Sequence, residues 1–502
     1  MKTIKKPIKI DEIFPKNKSQ AVIEGNLVLP GGKPDISEIL LVEGKASTMS
    51  AETVEGRILL DGTVTLTVIY IGKDDGIYSF DSISAYKHSV TEAGAKQSMK
   101  VDVYANLKEV NYSNSDMRTV SIKGVVEIET KVYGVKTKNY ITDVRDDGVM
   151  LKTKQEKLMY MADEAKDSLT FREDIRIPQN MPPAKDILYC EGYVKIRELI
   201  KDDNKCVIEG DLAMYMVYLS NDSSSPIHYL YETAEFGKII YIDGMEDNDI
   251  LDCIPSVREM NAMPVEDEQD IISIEAYISF KIRVSRTMDT EYAYDGYSLN
   301  HPLKIEKDTQ SYKELVTNGC MKAIIRNSIE IPEAMPPVAR VLFIKAKPVV
   351  SSGYSGQDRV YVEGVMLFNA CYSSSAGVKS IKGEFPFSTE VLIEGFYEDI
   401  NPEVMVDVEY IAFDGAGRSI DLKITLCITA KGYKTHELMG ITHMDIGEGE
   451  IKPIEGMHIY FAQEKESYWD IAKKYNTSIE MIEKYNPKEE ESCGKKKKVI
   501  VF

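Results

Sequence analysis

One ten-residue pattern occurs three times in this chain, and it constrains the fold more than any other feature. An acidic residue and a glycine open each copy: Asp61-Gly62, Glu209-Gly210 and Glu363-Gly364. A tyrosine follows eight residues after each glycine: Tyr70, Tyr218 and Tyr372. Between them every second residue is mostly apolar: Val64, Leu66 and Val68, then Leu212, Met214 and Met216, then Met366, Phe368 and Ala370. A period of two marks a strand with one buried face. Thr63, Thr65 and Thr67 suit a wetter opposite face. In the later copies Ala213, Val217 and Leu367 make that face less polar, which leaves room for both faces to be covered there. The copies lie 148 and 154 residues apart. That is far beyond a solenoid repeat of about 20–50 residues and is the length of a domain.

Other landmarks keep the same spacing. An apolar run precedes each copy: Ile39-Leu40-Leu41-Val42, Ile187-Leu188-Tyr189-Cys190 and Val341-Leu342-Phe343-Ile344. Ahead of that run, a short apolar segment ends at Pro30, Pro178 or Pro332, with a further proline at Pro34, Pro182 or Pro336. Proline cannot donate to a sheet ladder, so these stretches end strands and hold extended turns. Each repeat closes in a long alternating segment, led by Val120 and Ile122, by Ile272 and Ile274, or by Ile420 and Leu422. Internal duplication accounts for this common spacing. The body is expected to be mainly β, as three tandem β-rich, sandwich-like repeats of half-buried antiparallel sheet. Gln155 to Lys166 reads equally as a short helix or a strand. The expected bounds are repeat 1 at 1–143, repeat 2 at 144–300, repeat 3 at 301–438 and a glycine- and acid-rich linker at 439–456.

The formal net charge of −20 argues against unassisted binding to nucleic acid or an anionic membrane. No apolar run approaches the ~20 residues of a membrane span, and the basic start has no continuous apolar core of a secretory signal. The seven cysteines are odd in number, contain no CxxC and are missing from the first repeat. Free thiols in a reducing compartment are expected, not a disulfide framework or a zinc site.

No catalytic constellation stands out: there is no P-loop, HExxH, GxSxG or strand-borne GxGxxG. The histidines do not recur between repeats, and His436 and His443 lack further ligands at metal spacing. Neither cofactor nor metal is expected, and the chain is read as a non-enzyme. A hydrolase hidden in one repeat would instead require a buried polar cleft with shifted carboxylates.

Residues 457–502 have a different character and read strand, helix, helix, strand. His458–Ala462 and Val499–Phe502 are the strands. Ser467 with Asp470 and Thr477 with Glu480 read as capping boxes opening two helices, and Asn486-Pro487 ends the second. Trp469 is the single tryptophan. Its neighbour Tyr468 points to another helix face, so one of the pair is expected to be more exposed. Lys495–Lys498 is a basic run that reads as solvated or as a dock for an acidic partner.

This last segment resembles a LysM domain through Tyr460, Trp469, Ile471, Ala472, Tyr475, Asn486 and Pro487. Such domains usually bind N-acetylglucosamine polymers through the loops before the first helix and after the second. The family's Gly-Asp-Thr-Leu segment is replaced here by Lys465-Glu466-Ser467-Tyr468, and lysine does not reproduce glycine's open backbone. The body resembles SPOCS repeats of spore coat proteins, through the ILLVEG-type run, the DG/EG strand and the IPxxMPP turns. Three SPOCS repeats and a LysM together resemble SipL-like spore morphogenetic proteins.

That resemblance implies a scaffold in the mother-cell cytoplasm at the forespore surface. It would attach coat by binding the coat-basement morphogenetic ATPase through its LysM, with other coat proteins as further partners. The implied partner-binding residues are Lys465, Glu466, Ser467, Tyr468 and Trp469, with Tyr485, Asn486 and Pro487 opposite. The alternative is a binder of peptidoglycan in cell wall or cortex.

Overall fold

The computed structural model describes residues 1–146, 148–221, 226–452, 456–463, 466–486 and 498–502. Repeat 1 comprises β1 (Lys2–Ile13), β2 (Asn17–Val28), β3 (Ile36–Val54), β4 (Arg57–Gly72), β5 (Ile77–Thr91), β6 (Lys100–Asp116) and β7 (Thr119–Arg145). Repeat 2 comprises β8 (Val149–Arg176), β9 (Asp186–Asp202), β10 (Lys205–Leu219), β11 (Ile227–Tyr241), β12 (Ile250–Val265) and β13 (Glu268–Ser298). Repeat 3 comprises β14 (Leu303–Glu330), β15 (Arg340–Gly356), β16 (Arg359–Ser374), β17 (Gly377–Leu392), β18 (Asn401–Ala416) and β19 (Ser419–Ile446).

Every repeat is a sandwich of two antiparallel sheets. One is a meander, β3-β4-β5, β9-β10-β11 or β15-β16-β17, with the DG/EG strand in the middle. The other centres on the long closing strand β7, β13 or β19. In repeats 2 and 3 that strand pairs along its length with one continuous partner, β8 or β14. In repeat 1 the partner is split into β1 and β2 around Phe14-Pro15-Lys16, where the proline has no N–H to donate. Gln155–Lys166 is strand, within β8, because cross-strand pairing with β13 outweighs a weak helical period.

The alternation of the opening pattern becomes burial. Val64, Leu66 and Val68 are fully buried, as are Leu212, Met214 and Met216, and they face the closing strand across the sandwich core. The opening glycines stand directly opposite Tyr86, Phe236 and Phe387. A Cβ on Gly62 would come within 2.2 Å of the Tyr86 ring, so the glycine seats an aromatic ring laid across the strand. Each pattern's tyrosine is wholly buried and donates its hydroxyl to a proline carbonyl: Tyr70 to Pro34, Tyr218 to Pro182 and Tyr372 to Pro336.

The three repeats close into a threefold-like ring. Equivalent positions Leu40, Leu188 and Leu342 meet Ile69, Val217 and Cys371 in one apolar cluster at its centre. This is what covers the less polar outer face of the repeated strand. Contacts run in one sense, β5 to β9, β11 to β15 and β17 to β3. So do the ion pairs. Arg283 of repeat 2 reaches Asp102 of repeat 1, Lys131 of repeat 1 reaches Glu403 of repeat 3 at 2.7 Å, and Lys431 of repeat 3 reaches Asp252 of repeat 2 at 2.6 Å. Within its own repeat each cation sits across the ladder from that repeat's acid, which establishes the three pairs as equivalent.

A β-bulge falls at the same place in β6, β12 and β18, just after Leu107, Val257 and Val408. Bulges interrupt ladder pairing, and all three carbonyls are used between repeats. Lys45 Nζ donates to Val257 O at 2.9 Å and Lys347 Nζ to Leu107 O at 2.9 Å. In repeat 2 the position of those lysines holds Tyr193, and Tyr215 Oη donates to Val408 O at 3.3 Å instead.

At the far end of the ring the long hairpins meet at Ile141, Ala293 and Ile441. Tyr140 and Tyr292 pack there with ring centroids 6.0 Å apart, and the equivalent third residue is Gly440. A Cβ on Gly440 would lie 2.5 Å from Tyr140, so glycine makes room for two rings. β19 runs on to Ile446, so residues 439–446, expected as linker, are strand. Pairing with β14 holds them.

Candidate partner-docking face of the C-terminal module

The C-terminal module is β20 (His458–Phe461), α1 (Tyr468–Tyr475), α2 (Ile479–Tyr485) and β21 (Lys498–Val501), with β20 and β21 antiparallel. Ser467 caps α1 in a full capping box with Asp470, and Asn476 ends it at φ 50°. The second cap is Ser478, whose side chain accepts from Met481 N, not Thr477 as the spacing suggests. Thr477 is buried, donates to the Phe502 carbonyl at 3.2 Å and accepts from Tyr297 Oη at 2.8 Å through its own carbonyl. Its hydroxyl is spent on Phe502 within the module, and its carbonyl meets repeat 2.

That contact belongs to a dock between the module and repeat 2. Tyr468 and Trp469 are both buried, contrary to the expectation that one would be more exposed. Tyr468 lies in the module's core, and Trp469 is turned onto β13. The indole N–H donates to Asp295 Oδ2 at 2.8 Å, Lys473 reaches the same carboxylate at 2.7 Å, and the indole meets the Tyr297 ring edge-on at 5.0 Å. Burial alone would raise the Asp295 pKa, but the hydrogen bonds from Lys473 and Trp469 outweigh it and hold the carboxyl below its usual value.

Among the described residues, the expected binding residues therefore serve separate contacts. Glu466 is taken up inside the module, accepting from Tyr460 Oη and Gln463 N at 2.9 Å. Ser467 is a helix cap. Asn486 ties α2 to β21, donating to Ile482 O and Ile500 O and accepting from Ile500 N. Among the described members of the set Tyr485 alone is exposed, its ring tilted against Phe502 at 4.3 Å. Lys465 and Pro487 lie outside the described residues, as do Lys495–Lys497.

The module's free apolar surface is elsewhere. Both helices pack on one face of the β20–β21 ribbon, against Val499 and Val501. The opposite face carries Ile459 and Phe461, which are 45% and 67% exposed, with Met457 beside them at 59%. Ile459 stands across from Ile500 and Phe461 from Lys498. Contiguous exposed apolar surface of this kind marks an interaction site. The signal was present in the sequence as a strand apolar at alternate positions on both faces, one more face than a two-helix module covers.

A cavity of about 870 Å³ lies at the centre of the ring, lined by all three repeats. Three of its charged groups are spent on one another, Lys45 and Lys347 donate to backbone carbonyls, and burial raises the Asp407 pKa to about 6. Glu43, Glu191 and Lys345 occupy equivalent positions, and Lys345 reaches the two carboxylates at 3.4 and 3.1 Å. Burial opposes the charge on Lys345, but Glu191 and Glu43 hold its pKa well above the usual lysine value. Burial likewise opposes the charge on Glu191, and Lys345 and Lys45 bring its pKa down to about 2. The cavity belongs to the junction of the repeats, not to one of them. No cluster of three metal-ligating side chains occurs among the described residues.

Three separate stretches, residues 35–114, 183–265 and 337–415, match the family model described as SipL, SPOCS domain. Each spans the meander and the strand after it, so the matched unit recurs in every sandwich. The chain is a SipL-like protein with three SPOCS repeats, in a sporulation-related family. No curated protein and no solved structure matches it.

Proposed function

We propose that this chain is a non-enzymatic scaffold of spore-coat assembly, acting in the mother-cell cytoplasm at the forespore surface. On this reading the βααβ module is a LysM domain that binds the coat-basement morphogenetic ATPase, and the ring of repeats is the rigid body that presents it. One observation carries the reading: the module's tryptophan side is spent on repeat 2, while its apolar ribbon face points outward. A flat apolar face suits a protein partner. The loop ahead of α1, where related modules take glycans, is occupied here by Glu466 and Ser467 serving the module itself. The ring offers further surface to other coat proteins.

The test is capture of the basement ATPase by the full chain, with Ile459→Asp and Phe461→Asp variants checked for fold by circular dichroism. Loss of capture in folded variants is expected. Undiminished capture, or retention of the wild-type chain on insoluble peptidoglycan with no ATPase bound, overturns the reading.

A further inference from the structure

Two thiols in repeat 3 are placed to react with each other. Cys320 on β14 and Cys427 on β19 have their Sγ atoms 2.8 Å apart, and both are free. The register sets Cys320 opposite Thr429 and Cys427 opposite Lys322, so the two cysteines are diagonal neighbours on one face of the pair. Cys320 is exposed and Cys427 buried. Asp407 lies across β18 from Cys427, and Lys195 of repeat 2 reaches Glu409 beside the pair. The equivalent positions are Lys18 and Glu127 in repeat 1 and Lys166 and Ser279 in repeat 2, so the arrangement is peculiar to one repeat.

We propose that Cys320 and Cys427 are a thiol–disulfide exchange site that closes to a disulfide when the chain meets a small-molecule disulfide. An accessible thiolate beside a resolving thiol is the arrangement that reacts selectively. The hydrogen bond from Cys427 draws the Cys320 thiol below its usual pKa, with Thr429 and Lys195 adding to it. Cys320 is the exposed sulfur of the two and therefore the attacking one. Its thiolate attacks one sulfur of the small disulfide, forming a mixed disulfide and expelling one small thiolate. Cys427 gives its proton to solvent, and its sulfur attacks Cys320 Sγ, expelling the second small thiolate. Two protein thiols are oxidised and one small disulfide is reduced to two thiols. The sulfurs must close from 2.8 Å to a bond of about 2.05 Å. The product ties β14 to β19 across a separation of 107 residues and leaves the other two repeats uncrosslinked.

The experiment treats the full chain with oxidised glutathione, quenches by alkylation after unfolding, and maps peptides by mass without reduction. The expected product is a Cys320–Cys427 crosslink, with a raised urea midpoint that reductant reverses. Cys427→Ser is expected to accumulate a stable glutathione adduct on Cys320, while Cys320→Ser leaves Cys427 unmodified. Recovery of both thiols as alkylated peptides after glutathione treatment overturns the proposal. So does dominant crosslinking of either cysteine to any other in the chain.

Discussion

The hydroxyl of Tyr218 donates to the carbonyl of Pro182 at 2.9 Å, and the same bond recurs between Tyr70 and Pro34 and between Tyr372 and Pro336, each across 36 residues. The tyrosine ends the buried face of the central strand, and the proline holds the turn that leads into the neighbouring strand. The bond ties the two landmarks of the duplication to each other. Tyr218→Phe leaves the ring in place and removes a hydrogen bond to a part-buried carbonyl, which costs about 1 kcal/mol. Urea denaturation checks it. Similar losses are expected for Tyr70→Phe and Tyr372→Phe, and a neutral result in all three would remove the structural role assigned to the bond.

The ring's three ion pairs are equivalent in position but not in burial. Asp102 is 7% exposed and faces Arg283, whose guanidinium also approaches Glu164 at 3.8 Å. Glu403 and Asp252 are 31% and 36% exposed. Breaking a buried pair outright costs about 3–5 kcal/mol, because a charge is left behind, but Lys281 stays on Asp102 at 2.7 Å when Arg283 is removed, so the loss is expected below that range, and the more exposed pairs contribute less. Arg283→Met is therefore expected to destabilise more than Lys131→Met or Lys431→Met, and Arg283→Met with Lys281→Met more than Arg283→Met alone. Equal shifts in the unfolding midpoint would contradict the ranking.

The single tryptophan makes docking of the C-terminal module measurable. Asp295→Ala removes the acceptor of the indole N–H and the anchor of Lys473, so a red-shifted emission is expected, together with faster proteolysis between β19 and β20. Wild-type emission at neutral pH in a folded variant would show that apolar contact with Tyr297 suffices.

The same carboxylate sets a pH window. The folded pKa of Asp295 lies below its unfolded value of about 3.9. Its contribution is thus complete above that value and is lost as pH falls through the folded pKa. The expected acid titration of tryptophan emission is flat from neutrality down to about pH 4 and then shifts red. Asp295→Asn should lack this step, and a variant that keeps it would assign the step to general acid unfolding.

Gly440 stands where the ring's symmetry would place a third tyrosine. Gly440→Ala puts a Cβ 2.5 Å from Tyr140, and overpacking of this kind costs about 1–3 kcal/mol. Tyr140→Ala in the same chain should recover part of the loss, read as a positive coupling in a double-mutant cycle.

The repeats were legible in the sequence because period-two alternation, an opening glycine and strand-ending prolines are local properties that recur at nearly fixed spacing. The strand, the buried tyrosine and the turn proline all follow from residue type and order. The ring does not, because its determinants are single charges scattered through 502 residues: Lys131, Arg283 and Lys431 on one side, Asp102, Asp252 and Glu403 on the other. Nothing local distinguishes them from solvated charges until the bulges and the ring place them at the junctions. The module's frame was likewise legible, down to the Ser467–Asp470 cap, but the direction of Trp469 was not. An indole on an amphipathic helix can anchor a partner or its own body, and Asp295, 174 residues earlier, settles which. The sequence by itself determined three sandwiches and a βααβ module, because periodicity and capping act over a few residues. Only the tertiary structure decided that the sandwiches close on one another and that the module faces outward with its strands, because burial of charge and aromatic rings is a property of distant partners.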